Sequence, residues 1–209
     1  MEAASLGRPG ARVVMHTRNR RSCVHGRTHW PPRGVRSQWK TGAMDAEEFW
    51  GIIGPGDATS CDEVVSAAKG RLEAMTAEEV EGFCWTIHDV LRSMYTWDLW
   101  GVAYILKGGC SDDGFEYFRA WLIARGRDFV AQAVADPEGL GVAIDPGPGN
   151  YAYGYQCEAL LYVGMLTYRE KTGALPDISA PLPPEPVGQR WQEEDLAIRF
   201  PRLAAGRDV

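Results

Sequence analysis

Residues 96–121 read TWDLWGVAYILKGGCSDDGFEYFRAW, and the fold class turns on this stretch. From Tyr95 onward, eight of its 27 residues are aromatic, against 11% in the whole chain, and four carboxylates share the segment. Apolar residues fill nearly every position between Asp98 and Lys107: Leu99, Trp100, Val102, Ala103, Tyr104, Ile105 and Leu106. A helix with that pattern is buried on almost all sides. Gly108-Gly109 then provides a left-handed stop. Ser111 or Asp113 can cap a second helix, with Glu116 three residues after Asp113 and with Phe115, Phe118, Trp121 and Leu122 on its apolar face. The segment therefore predicts two adjacent helices joined by a Gly-Gly-Cys-Ser-Asp-Asp-Gly bend.

Upstream, Thr76 and Glu79 form a capping-box pair, after which Val80, Phe83, Cys84, Ile87, Val90, Leu91 and Met94 recur at helical spacing. Asp62 is expected to cap a preceding helix through Val64, Val65, Ala68, Leu72 and Met75, weakened by Gly70. Gly54-Pro55-Gly56-Asp57 reads as a turn. Downstream, Gly126 ends or bends a helix that resumes through Phe129, Val130, Ala133 and Val134 as far as Asp136-Pro137. Residues 140–155 read as a Gly/Pro loop with Tyr151, Tyr153 and Tyr155, too long for a plain connector. Cys157, Leu160, Leu161, Gly164, Met165 and Tyr168 mark a further helix ended at Gly173. Pro176, Pro181, Pro183, Pro184 and Pro186 make a polyproline-like strap, followed by one short helix over 191–200 stopped by Pro201. Strand alternation is missing throughout. The expectation is an all-α, orthogonal bundle of about six helices, with a helical domain over 44–175 and a Pro-rich strap with a short terminal helix over 176–209.

The chain carries a formal charge of −6 that divides unevenly. Residues 1–43 hold nine Lys/Arg against Glu2, a formal +8, whereas 44–209 hold 13 basic and 27 acidic groups, −14. The first part has few large aliphatics and three of the four histidines, a composition expected to stay disordered. Met44, just before Asp45-Ala46-Glu47-Glu48-Phe49-Trp50, is the simplest natural start. The arginines of 1–43 are interspersed with Pro and Gly, which argues against a phosphate-binding face or an amphipathic transit helix. Runs of 18 apolar residues are lacking, so no membrane span is expected. Five widely spaced cysteines, Cys23, Cys61, Cys84, Cys110 and Cys157, suit buried thiols in a reducing compartment better than a disulfide framework, which makes the cytoplasm the expected location.

The TWDLWG and GGCSDDGFEYFRAWLI strings, with CEALLY from Cys157 and Glu170-Lys171-Thr172-Gly173, resemble an uncharacterised, mainly bacterial family, the domain of unknown function numbered 4240. The resemblance covers residue 44 to about 173. It implies a compact helical domain and no established activity, so it assigns no catalytic residue.

Asp112, Asp113 and Glu116, with Asp98 or Glu158, have the oxygen ligands for a hard cation and would support a metal-assisted hydrolase. Helical spacing also puts Arg119 beside Asp112 and Glu116, and the first-turn carboxylates already gain from the helix dipole, so capping and an internal salt bridge is the plainer account. No metal is therefore expected. Cys110 before a helix start could pair with His88 as nucleophile and base. A zinc knuckle is missing. Gly109 and Gly114 have phosphate-loop spacing, but Phe115 stands where that loop needs Lys. The 51–56 glycines follow helical sequence rather than a strand, so no dinucleotide turn is read and no cofactor is expected. The aromatic group of Trp97, Trp100, Tyr104, Phe115, Phe118 and Trp121 fits a buried core better than a stacking platform, and the acidic body makes nucleic acid an unfavourable partner. The resulting expectation is an interaction or ligand-binding domain that recognises a protein or a small polar ligand through Trp97, Asp98, Cys110, Ser111, Asp112, Asp113, Glu116, Arg119 and Glu158.

Overall fold

Thr76 accepts from the Glu79 backbone while the Glu79 side chain accepts from the Thr76 N–H, so the anticipated capping box starts a 17-residue helix at Ala77. In the computed structural model, which describes residues 44–56, 58, 60–147, 154–178 and 183–207, such local signals set most helix boundaries. The helices are α1 (Ala46–Ile53), α2 (Cys61–Glu73), α3 (Ala77–Ser93), α4 (Trp97–Lys107), α5 (Asp112–Ala124), α6 (Arg127–Ala135), α7 (Pro137–Ile144), α8 (Glu158–Thr172), α9 (Leu196–Arg199) and α10 (Pro201–Ala204). A 3-10 turn over Glu193–Asp195 leads into α9.

The all-α class holds, and no strand occurs among the described residues. The count of about six does not, because short helices occupy sequence read as loop. Asp136 caps α7 through the Gly139 N–H, with Pro137 at the first helical position, so a helix covers the beginning of the supposed 140–155 loop. Pro201 follows the end of α9 at its C-cap Phe200, as expected, and also opens α10, where its missing N–H costs nothing. Ser60, rather than Asp62, caps α2. The N-terminal extension, Tyr151, Tyr153 and Pro181 lie outside the described residues. Among the described residues no helix is long and apolar enough to cross a membrane.

Packing centres on two helices. α8 lies against α2, α3 and α5, burying Leu160, Val163, Gly164 and Thr167. A Cβ at Gly164 would come within 2.8 Å of Cys84 Sγ and of Phe83, so glycine allows α3 and α8 to approach. On the other side α4 packs on α7, α5 and α10, with seven of its 11 residues buried as its uniformly apolar sequence requires. Phe49, Phe83, Phe115 and Phe118 are among the fully buried rings. The 183–207 segment closes over α4: Val187 and Thr96 form a parallel bridge, and Phe200 and Leu196 fill the space above Gly101, where a Cβ would meet Phe200 at 2.5 Å.

One covalent feature corrects the reading of the cysteines as thiols at two positions. Cys61 and Cys157, 96 residues apart, form a disulfide that ties the start of α2 to the start of α8. Cys84 and Cys110 are free.

Candidate functional site

The acid-bearing bend is where the sequence directs attention, and the structure gives its side chains mainly structural work. Ser111 caps α5 by accepting from the Gly114 N–H at 3.2 Å, and Asp112 and Asp113 stand exposed in the first turn. Trp100 Nε1 donates to the Cys110 carbonyl and Lys107 Nζ to the Gly114 carbonyl, which pins the bend to α4. Arg119 does not join the acids, as helical spacing had suggested. It is 2% exposed and turned inward: Nη1 donates to the Leu91 carbonyl at 2.8 Å, and the guanidinium lies over the rings of Tyr95 and Phe115. Burial lowers its pKa to about 10, opposed by the negative charges of Glu116 and Asp112. No ion pair joins Arg119 to either acid among the described residues.

The two chemical alternatives at this bend lose their geometry. Among the described residues, no group of three or more His, Cys, Asp or Glu side chains is placed to hold a metal ion, so Asp112, Asp113 and Glu116 do not converge as the hydrolase reading needs. Burial pushes the Cys110 thiol up to about 11, in spite of Lys107 and Arg119, so it is a thiol rather than a nucleophilic thiolate at neutral pH. Burial also lowers the pKa of His88. No hydrogen bond joins His88 to Cys110 among the described residues.

The remaining candidates serve the C-terminal segment and α8. Trp97 stacks on Trp100 at 5.3 Å, and Trp191 meets both edge-on while donating Nε1 to the Trp97 carbonyl at 2.7 Å. Asp98 is ion-paired to Arg199. Glu158 accepts from the Tyr117 hydroxyl at 3.0 Å, which pushes that hydroxyl's pKa up to about 12. Trp97 and the bend are thus neighbours through Trp100.

Concavity lies elsewhere, at the corner between α5 and α6. Gly54-Pro55-Gly56 leaves α1 and presses on that corner so closely that a Cβ at Gly56 would sit 2.2 Å from the Arg125 carbonyl oxygen. Gly56 has φ +76°, a conformation glycine adopts without strain. The result is a cleft of about 580 Å³ whose walls include Arg71, Arg125, Arg127, Glu47, Asp128 and Phe129. Arg127 is paired with Glu47 at 2.6 Å. Arg71 donates to the Ile52 carbonyl at 2.9 Å and Arg125 to the Ala58 carbonyl at 3.0 Å, and neither has a carboxylate partner among the described residues. The Arg125 guanidinium also lies over Phe129. The first turn of α6 borders this cleft, and its N-cap is Gly126, which has no side chain to cap it. Asp57, in the same turn, lies outside the described residues.

Behind Arg125 a second, smaller cavity of about 250 Å³ reaches the disulfide; it is lined by Cys61, Ser60, Trp121, Gln156 and Arg125 among others. Tyr155 stacks on Trp121 at 4.5 Å and donates its hydroxyl to the Ile144 carbonyl, so the described end of the tyrosine loop covers this side.

Sequence reasoning did not find Arg71, Arg125 and Arg127. Their only local signals are the 54–57 turn and the Arg-Gly-Arg at 125–127, and neither carries a known ligand spacing. Comparison with known proteins adds a family but no chemistry. A family model described as "Protein of unknown function (DUF4240)" matches residues 44–170. No curated protein and no solved structure matches the chain.

Proposed function

The chain belongs to this DUF4240 family of unknown function, and we propose that its helical body is a ligand-binding domain that takes a small phosphate- or carboxylate-bearing molecule in the Arg71/Arg125/Arg127 cleft. One observation carries the reading: in a body of formal charge −14, two arginines that have no carboxylate partner among the described residues line a cleft of about 580 Å³. That volume falls in the range of small-molecule sites, about 300 to 1,000 Å³. Guanidinium groups suit carboxylate and phosphate because their forked N–H donors match two oxygens at once. The first turn of α6 adds the positive end of the helix dipole. Trp50 and Phe129 supply apolar wall. The 110–116 bend offers a basic partner exposed Ser111, Asp112 and Asp113, whereas the cleft joins arginines to a concave surface, which is why the cleft carries the proposal.

Thermal unfolding with phosphate, pyrophosphate, citrate or chloride at matched ionic strength tests it. A ligand that binds only the folded state at 100 times its Kd stabilises by about 2.7 kcal/mol. The expected result is a higher Tm with pyrophosphate or citrate than with chloride, lost in Arg71→Gln and Arg125→Gln. Equal Tm in all four salts, or equal shifts in the variants, would overturn the assignment. Phosphate-selective and carboxylate-selective shifts identify which ligand class the cleft prefers.

A further inference from the structure

We propose that the Cys61–Cys157 disulfide is a thiol–disulfide exchange site for low-molecular-weight thiols that carry a carboxylate. This stands whether or not the neighbouring cleft binds an anion. The cross-link is set asymmetrically: Cys61 is partly exposed and forms part of the wall of the 250 Å³ cavity, whereas Cys157 is 1% exposed behind it. An incoming thiol therefore reaches Cys61 Sγ. Among the described residues lining that cavity Arg125 is the only charged one, and it favours an anionic thiol over a neutral or cationic one.

The position of the leaving sulfur completes the case. Cys157 occupies the N-cap of α8, and no side-chain oxygen caps that 15-residue helix. In exchange, the incoming thiolate attacks Cys61 Sγ, a new S–S bond forms there, the Cys61–Cys157 bond breaks, and its electron pair leaves on Cys157 Sγ. That thiolate takes the acceptor position that Ser60, Thr76, Thr96 and Ser111 fill at other helix starts, where free N–H groups and the dipole stabilise negative charge. A second small thiolate then attacks the small-molecule sulfur of the mixed disulfide and releases Cys61 as a thiolate at the first position of α2. In sum, one protein disulfide and two small thiols become a protein dithiol and one small disulfide.

The test uses the full oxidised chain with 3-mercaptopropionate and 2-mercaptoethanol at equal thiolate concentration, quenched with acid and mapped by peptide mass spectrometry. The adduct is expected on Cys61, with Cys157 free; Cys157→Ser treated instead with the small disulfide of 3-mercaptopropionate should exchange to the Cys61 mixed disulfide, releasing one small thiolate, and keep it because no second protein sulfur can displace it. The carboxylate-bearing thiol should react roughly threefold faster, the factor for unit charges about 6 Å apart in water. That preference should vanish in Arg125→Gln and, in the unaltered protein, at high salt. An adduct on Cys157, a rate independent of thiol concentration as expected when global unfolding limits cleavage, or air-oxidised protein lacking the cross-link would each overturn the proposal.

Discussion

Arg119 on α5 donates to the backbone carbonyl of Leu91, 28 residues earlier near the end of α3, and that carbonyl also accepts from the Met94 N–H. A guanidinium thereby bolts two helices together in the interior with no carboxylate partner, and no hydrogen-bond partner for its Nε, among the described residues. The Tyr95 and Phe115 rings, with centroids 4.9 and 4.8 Å from the guanidinium carbon, take the place of a counter-ion.

Replacing that cation separates its charge from its bulk. Taking a charge out of water costs several kcal/mol, so an apolar side chain of similar length often matches it. Arg119→Met is expected within about 1 kcal/mol of the unaltered protein in urea unfolding, because lost desolvation cost offsets the lost bonds. Arg119→Ala, which empties the space, should cost about 2 to 5 kcal/mol. A large loss in the Met variant would show that the bond to Leu91 and the ring contacts dominate instead.

Two glycines should respond oppositely to alanine. Gly70 sits exposed in α2 with nothing within 4 Å of the position a Cβ would take, so Gly70→Ala should stabilise by about 1 kcal/mol through helix propensity. Gly56→Ala puts a Cβ against the Arg125 carbonyl at positive φ and should destabilise by about 1 to 3 kcal/mol. Paired denaturation curves check both signs.

The C-terminal segment is held to α4 by an indole. Trp191→Phe keeps a ring against Trp97, Trp100 and Tyr104 but loses the donor to the Trp97 carbonyl, with an expected cost of about 1 kcal/mol. Limited proteolysis should then cut within 183–195 sooner than in the unaltered chain.

His88 predicts a pH dependence. Burial lowers its folded pKa below the ordinary 6.5; nearby Arg92 and Arg119 act in the same direction, while Asp89 and Glu116 oppose it. The unfolded chain then binds the proton more readily than the folded one. Its contribution is therefore fully present above pH 6.5 and is lost as pH falls through 6.5 toward the folded value. Asp89, whose carboxyl pKa burial raises, acts in the opposite sense at lower pH. Tm measured from neutral pH downward should fall below 6.5, and His88→Gln should flatten that fall.

Breaking the cross-link should loosen the whole body. In the chain-entropy account, a loop closed across about 100 residues stabilises by about 4 to 5 kcal/mol. A Cys61→Ser, Cys157→Ser double variant should lose a comparable amount, and the oxidised parent should drop to its Tm once reduced.

What the chain shows without coordinates is what neighbours within a turn or two decide. The Thr76/Glu79 box, the Ser111 cap, the left-handed Gly108 and the helical spacing of Val80 to Leu91 all act over three or four residues, and they place α3, α4 and α5 correctly. The aromatic excess of 95–121 marks a core for the same reason, since rings without polar partners leave water wherever they fall along the chain. The cleft and the cross-link carry no such local signature. Arg71, Arg125 and Gly56 meet only because α8 draws α2 and α5 onto itself, and Cys61 reaches Cys157 across 96 residues by the same packing. Arg119 turned from its helical neighbours to a carbonyl on another helix, since direction in a core follows the space that surrounding elements leave. Contacts between distant residues depend on how several apolar faces close at once, and only the assembled tertiary structure decides that.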